Sequence, residues 1–435
     1  SRQNRWVTTP VDPRTFGAVP LLDLHRAPIK MSVMRSPTFL VGTDSQRQRL
    51  DEFQRRDQQF SEQYQKNKPL CFSSKGFQRT HPGKLSAGHK DADATLASPM
   101  MMGVADGVSQ LEDYGMNAAE LPNELLKSCE ELSMYQLIPD QVVSPQDSYR
   151  GPISLLKEAY EATESLGSTT ILLAILDNST RIHGKLHPMV AVLTIGDCEL
   201  LMLRRTGGRN SPLQAVFHTE MQRIDGHVQT PLQLARVDER VDPEFDEEIA
   251  LEVIERGSAV HCISAYEGDI IVLGSDGVFD NLFLDEIVDL CNAAMPPAGG
   301  AFTPMAPSRL QKLSQRIVEE SHRKSLGGGM MDTPIGRGGK MDDTSVVVGE
   351  VVEWTDAHSQ LYAQARRQKQ WQNVVTCGGV APNPCRSCRA GEEEIDEHEI
   401  SSSGHEVSPP YGRRGRGVQA AEADDDDDED RCAIL

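Results

Sequence analysis

Four acidic groups in this chain stand hard against apolar runs, where a charged side chain is costly unless something pairs with it. "GVADG" places Asp106 and Gly107 at the end of a short strand-like run. "VLGSDGVFDN" places Asp276 and Gly277 after another, with Asp280 four residues later. "GGKMDDTSVVV" sets Asp342 and Asp343 immediately before a third, and "GHKDADATLA" puts Asp91 and Asp93 just upstream of the first. Taken singly, Asp-Gly is a turn dipeptide. Taken as a set, carboxylates delivered by several strand ends suit a hard cation such as Mg²⁺ or Mn²⁺, which takes oxygen ligands and keeps several waters. A glycine after such a ligand lets its carbonyl approach with no side chain in the way.

Those carboxylates need strands to carry them. Apolar runs at Thr169 to Leu176, Met189 to Ile195, Glu199 to Leu203, Asp269 to Ser275 and Ser345 to Val352 are β-branched or Leu-rich and bounded by Gly, Asp or Asn, the pattern of buried strands. The first three follow one another closely, which predicts antiparallel neighbours. Three helical stripes lie between the strands: Leu121, Leu125, Cys129 and Leu132; Leu284, Ile287, Val288 and Cys291, with Phe279 to Asn281 as the cap region; and Leu310, Leu313 and Ile317. Consecutive strands with a few long amphipathic helices predict an α+β fold with helices packed outside the sheets.

Three segments are expected. Residues 1–70 are rich in Arg, Gln and Pro and read as an extension with little to bury. Residues 71–354 carry the packed pattern. Residues 355–435 read as a terminal helix followed by a disordered acidic tail. At 435 residues the chain has ample material for a core, although only 38% is hydrophobic. A formal net charge of -21 argues against a nucleic-acid binder that works by neutralising phosphates. The nine cysteines show no paired framework, which suggests a reducing compartment. No run of 18 apolar residues predicts a membrane-spanning helix. The chain begins at Ser1, so a targeting segment, including a mitochondrial presequence, is compatible with it.

In order along the chain, "DADA", "GVADGV", "GSTT" (Gly167 to Thr170), "IGDC" (Ile195 to Cys198), "GSDGVFDN" and "GGKMDDTSVVV" resemble the motifs of the metal-dependent protein Ser/Thr phosphatases, the protein phosphatase 2C class. "VADGVSQLEDYG" and "TPLQLA" (Thr230 to Ala235) are closer still to that family's divergent mitochondrial-type branch. The resemblance spans roughly residues 71–354 and implies a β-sandwich of two antiparallel sheets flanked by helices on both sides, in α-β-β-α layers. It implies two Mn²⁺ or Mg²⁺ ions in a cleft at one edge, with Asp106 bridging both and Gly107 offering its carbonyl. Asp276 and Asp342 would complete one ion's shell, with Asp91 and Asp93 supplying the upstream acidic pair. Asp343 would stand where the family usually has Asn, and Asp197 would support the site from the "GD" turn.

The implied chemistry is hydrolysis of phosphomonoesters on phosphoprotein Ser and Thr, with Asp106 and Asp276 as the catalytic carboxylates. In water that reaction is among the slowest known. Two ions about 3.5–4 Å apart lower the pKa of a shared water and hold it in line with phosphorus. Two departures from the family stand out. The Arg that grips phosphate in much of the family is absent near the acidic pair, leaving Lys84, His89 and Lys90, of which Lys90 is the weak phosphate-binding candidate. "GVSQ" also replaces a glycine-rich turn, so Ser109 and Gln110 should stiffen it. Rival readings are a catalytically inactive phosphatase-like scaffold at a membrane and a calcium-binding module. The twelve-residue calcium loop is not present.

The chain closes on "RCAIL", a C-a-a-X pattern with Leu last, which marks Cys432 for geranylgeranylation. One lipid anchors only reversibly, and the acidic run Asp424 to Asp430 would repel anionic lipid. The expected protein is a monomer, cytoplasmic or membrane-attached through Cys432. Cys377, Cys385 and Cys388 with His398 and His405 are spaced too irregularly for a zinc site and read as reduced thiols.

Overall fold

The computed structural model describes residues 68–139, 143–206, 211–223, 230–296, 303–327 and 330–364. Two five-stranded antiparallel sheets face each other. We number their strands β1 (Leu70–Arg79), β2 (Ala94–Ala97), β3 (Met101–Ala105), β4 (Ile171–Asp177), β5 (Met189–Ile195), β6 (Glu199–Arg205), β7 (Leu213–His218), β8 (Ala259–Ser264), β9 (Ile270–Gly274) and β10 (Thr344–Glu353). One sheet runs β1-β10-β9-β6-β7 and the other β8-β5-β4-β3-β2.

Helices cover both outer faces. The first two are α1 (Pro82–Ser86) and α2 (Glu120–Gln136), followed by α3 (Pro152–Glu161) and α4 (Asp276–Phe279). The last two are α5 (Leu284–Ala294) and α6 (Pro307–Ser325). Helices α2 and α3 pack on the sheet containing β3, and α5 and α6 on the sheet containing β10. The layers are helix, sheet, sheet, helix, as expected.

Burial on both faces explains why the central strands are continuously apolar. In β9 and β10, Ile271, Leu273, Val347 and Val351 point between the sheets. Their neighbours Ile270, Val272, Val346 and Val348 point the other way, onto Ile287, Cys291, Leu310, Leu313 and Ile317 of α5 and α6. Alternation by two therefore puts apolar residues on both sides.

Two expectations are corrected. Strands β4 and β5 are antiparallel neighbours, but β6 pairs with β9 and β7 in the other sheet. The short connection through Gly196, whose φ is +105°, carries the chain across the sandwich. Phe279 to Asn281 does not cap α5. The cap is Phe283, whose N–H donates to the Glu286 carboxylate at 2.8 Å. Strands β1, β2, β7 and β8, unmarked by the apolar pattern, are the four sheet edges. The expected terminal helix is present over 356–364, and its remainder lies outside the described residues. So do the N-terminal extension before residue 68, the tail cysteines and Cys432. Among the described residues no helix is long and apolar enough to cross a membrane.

Candidate metal centre

The register of the sandwich brings the acidic motifs to one edge. Ala94 pairs with Ala105, so Asp93 and Asp106 flank the same rung of β2 and β3. Gly274 pairs with Val346, which sets Asp276, just past the end of β9, beside Asp342 and Asp343, just before β10.

Each backbone is then pinned. The Asp106 carbonyl accepts from the Thr170 N–H at 2.9 Å and the Thr169 hydroxyl at 3.0 Å. The Asp106 N–H donates to Thr170 Oγ1 at 3.3 Å. "GSTT" thus fixes the residue at the end of β3. On the other side, Ser275 and Ser345 exchange two bonds of 3.0 Å.

Both Asp-Gly glycines are required by close backbone approach. A Cβ on Gly107 would lie 2.4 Å from the Ala118 carbonyl and 2.5 Å from that of Ala92. A Cβ on Gly277 would lie 2.1 Å from the Asp343 carbonyl. Neither glycine simply relaxes a turn; each lets separate segments touch where a carboxylate is delivered.

The side chains form a crowded anionic cluster bridged by lysines. Lys340 Nζ reaches Asp276 Oδ2 and, at 2.7 Å, Asp342 Oδ2, with Asp280 Oδ2 at 4.0 Å. Lys84 Nζ reaches Asp342 Oδ1 at 2.5 Å and Asp343 Oδ2 at 3.1 Å. Arg223 flanks the cluster from Asp197 at 3.7 Å and Asp280 at 3.4 Å.

Burial dominates the electrostatics and drives most of these carboxyls up. Asp93 is pushed to about 8 by burial against the opposing influence of Ser345, with Asp91, Asp343 and Asp342 adding to the rise. Burial, then Asp93, Asp276 and Asp342, hold Asp106 well above the ordinary carboxylate range. Burial and Asp276 raise Asp197 to about 7 and Asp280 to about 6. Asp276 is raised by burial, with Lys340 opposing. Asp342 alone is lowered, because Lys340 and Lys84 outweigh its burial. Mutual repulsion of this kind marks a site short of positive charge.

Several oxygens have nothing to bond. Both carboxylate oxygens of Asp93, Oδ1 of Asp276 and Oδ1 of Asp343 are buried without a hydrogen-bond partner. Although Ser345 is close enough to influence Asp93, its hydroxyl does not meet hydrogen-bond geometry with it. Among the described residues, no three His, Cys, Asp or Glu side chains already converge on one coordination point. The reason is visible: the ammonium groups sit between the carboxylates, which turn to nitrogen instead of to a common centre. Hard, orphaned oxygens around a charge deficit fit an oxygen-liganded divalent cation.

Not every expected residue joins the cluster. Asp91 stands at its margin, accepting from the Asp93 N–H at 3.1 Å and from Gln78 at 3.3 Å. Lys90 and His89 are exposed, and His89 faces Glu112 at 3.8 Å. Arg79 stacks over Phe77, 5.5 Å from the ring centre. Ser109 and Gln110 open a 3₁₀ turn, Ser109–Tyr114. Sequence reasoning passed over Lys340, although it lies inside "GGKMDD", and Arg223, which no local pattern marks.

The chain is similar in sequence to several curated protein phosphatases. "Probable protein phosphatase 2C 1" of Oryza sativa subsp. japonica is 28% identical over 285 residues, covering 62% of this chain and 72% of its own. "Probable protein phosphatase 2C 26" of Arabidopsis thaliana is 28% identical over 280 residues, covering 62% and 81%. The chain is a relative of the protein phosphatase 2C class. "Protein phosphatase PTC7 homolog" of Homo sapiens, 26% identical over 289 residues and covering 62% and 79%, bears out the expected divergent branch within that class. No family model matches the chain. Among solved structures, that of the photosystem II phosphatase PBCP is similar at 24% identity and a TM-score of 0.46, covering 64% of this chain and 98% of that one.

Proposed function

We propose that this chain is a metal-dependent protein serine/threonine phosphatase that hydrolyses phosphomonoesters at the carboxylate cluster. The observation that carries it is the set of buried, unpartnered oxygens on Asp93, Asp276 and Asp343 beside Asp106 and Asp342. In this reading Asp93, Asp106, Asp276 and Asp342, with the Gly107 carbonyl and Asp91, would hold two Mn²⁺ or Mg²⁺ ions. Ions bound there would supply the Lewis acidity that makes water a competent nucleophile toward phosphorus. Asp343 and Asp197, both buried at the cluster, would support the ligands, Asp343 facing Lys84 at 3.1 Å and Asp197 facing Arg223 at 3.7 Å.

The chain's own residues do the positioning. Thr169 and Thr170 hold Asp106 at the end of β3. Asn281 fixes the turn after Asp276 by donating to the Gly277 carbonyl at 2.9 Å. The rigid sandwich keeps the carboxylates from spreading under their own repulsion, so the site is organised before it is charged. The clustering of Asp93, Asp106, Asp276 and Asp342 at one edge of the sandwich favours a metal-dependent enzyme over a scaffold that binds no metal.

The substrate would be a phosphoprotein, met by a monomer. Lipidation at Cys432 and attachment to a membrane from the cytoplasm are a separate proposal, tested by fractionating Cys432→Ser against the parent protein. The catalytic proposal is tested with a phosphoserine peptide and Mn²⁺, with and without chelator. Phosphate release that chelator stops and Mn²⁺ restores is the expected result. Release that persists in Asp106→Ala would defeat the assignment.

A further inference from the structure

Lys340 and Lys84 are held more firmly than lysines at a cleft mouth need to be. Asn281, fully buried, grips the Lys340 backbone on both sides: its Oδ1 accepts from the Lys340 N–H at 2.7 Å, and its Nδ2 donates to the Lys340 carbonyl at 2.9 Å. Lys84 rides on α1, whose start is capped by the buried His81. The His81 Nδ1 accepts from the Gly83 N–H at 3.0 Å, and its Nε2 is tied to Ser325 Oγ at 3.0 Å. Both ammonium groups therefore leave fixed backbones and end on the same carboxylate, Asp342. The Lys340 side chain keeps 35% exposure and that of Lys84 24%, so each can also meet a ligand from solvent.

These bonds cannot be their only task if divalent ions take the carboxylates. At equal distance a doubly charged ion attracts those oxygens twice as strongly as an ammonium does, and it would repel the ammonium groups beside it. The displaced ammonium groups would stay at the site, because their backbones cannot leave. A phosphate dianion arriving there needs cationic donors. Arg79 lies over Phe77, and Arg223, at the cluster edge by Asp197 and Asp280 with its Nε lacking a hydrogen-bond partner, is a further donor beside the two lysines. We propose that Lys340, with Lys84 beside it, holds the site carboxylates while no divalent cation is bound and grips the substrate phosphate once one is. The inference rests on the phosphatase reading and names the group that replaces the absent arginine.

The test uses the full chain and two probes, Mn²⁺ alone and inorganic phosphate. Calorimetry of chelator-treated Lys340→Gln should show Mn²⁺ binding several-fold tighter than in the parent, since an internal competitor has gone. The Mn²⁺-loaded variant should bind phosphate roughly 10- to 100-fold more weakly, as the loss of a charge-assisted hydrogen bond predicts. Lys340→Arg should recover much of the phosphate affinity. Lys84→Gln should repeat the pattern and serves if the first variant does not fold. Phosphate affinity equal to the parent's in both Gln variants overturns the inference, as does Mn²⁺ affinity that fails to rise. If the parent binds Mn²⁺ and hydrolyses phosphopeptide while the variants behave like it, the lysine role alone falls. A parent that binds no Mn²⁺ overturns both.

Discussion

At Asp276, one oxygen meets Lys340 and the other is buried with no partner. Neutralising this residue separates its two consequences. Asp276→Asn should lower Mn²⁺-dependent phosphopeptide turnover by roughly 10³-fold, the scale of about 4 kcal/mol of lost transition-state stabilisation. The same change relieves repulsion within the cluster, so the melting temperature of the metal-free protein should stay level or rise. A variant that loses turnover and melts well below the parent would instead mark Asp276 as structural. Asp106, Asp276 and Asp342 were legible because each abuts an apolar run, where an unpaired carboxylate has no cheap resting place. Lys340 was not, since a lysine in a glycine-rich stretch has the composition of a solvent loop. Only Asn281, two residues past the end of α4, shows it to be fixed. Lys90 shows the converse: adjacency to the acidic pair in sequence put its side chain in solvent, outside the cluster.

At the scale of elements, the site depends on the junction of α4 with the start of β10. Gly277 is the point of contact, since an added Cβ would lie 2.1 Å from the Asp343 carbonyl. Gly277→Ala should therefore cost about 1–3 kcal/mol in urea denaturation, as overpacking at a rigid contact does. It should also weaken Mn²⁺ binding by moving Asp276 away from Asp342. Unchanged stability would mean that the two segments separate freely. The strands found from sequence, β3, β4, β5, β6, β9 and β10, are all interior to a sheet. The four that were missed are all edges. Interior strands are apolar on both faces and announce themselves as continuous runs, whereas β8 "AVHCIS" and β7 "LQAVFH" leave Val260 and Val216 exposed and carry polar neighbours. Pairing to a single neighbour needs less apolar patterning, and the signal falls with it. The switch of β6 into the other sheet was invisible for another reason. A tight connection does not say which sheet its next strand joins.

Across the whole molecule, buried acids set how stability responds to pH. Glu350 in β10 is 1% exposed, accepts from the Met305 N–H at 2.5 Å, and lies far from the carboxylate cluster along its strand. Burial raises it from 4.5 to about 7, with the Met305 N–H opposing and Glu267 adding to the rise. A carboxyl whose folded pKa exceeds its unfolded one gives stability that is complete below the unfolded value and is lost as pH rises through the folded value. Thermal melts should therefore show stability falling between about pH 4.5 and pH 7. Glu350→Gln, which keeps an acceptor for Met305, should flatten part of that slope, the rest belonging to Asp280 and Asp197, which burial raises to about 6 and about 7; an unchanged slope would place the titration in the cluster.

The central claim is that carboxylates from separate strand ends together bind divalent cations. Titration calorimetry of Mn²⁺ into chelator-stripped protein, with Asp106→Asn and Asp276→Asn alongside, tests it most directly. The account predicts saturable binding by the parent protein and a loss of roughly 10-fold or more in affinity in each variant. A parent protein that takes up no Mn²⁺, or variants that bind it as tightly, would contradict it.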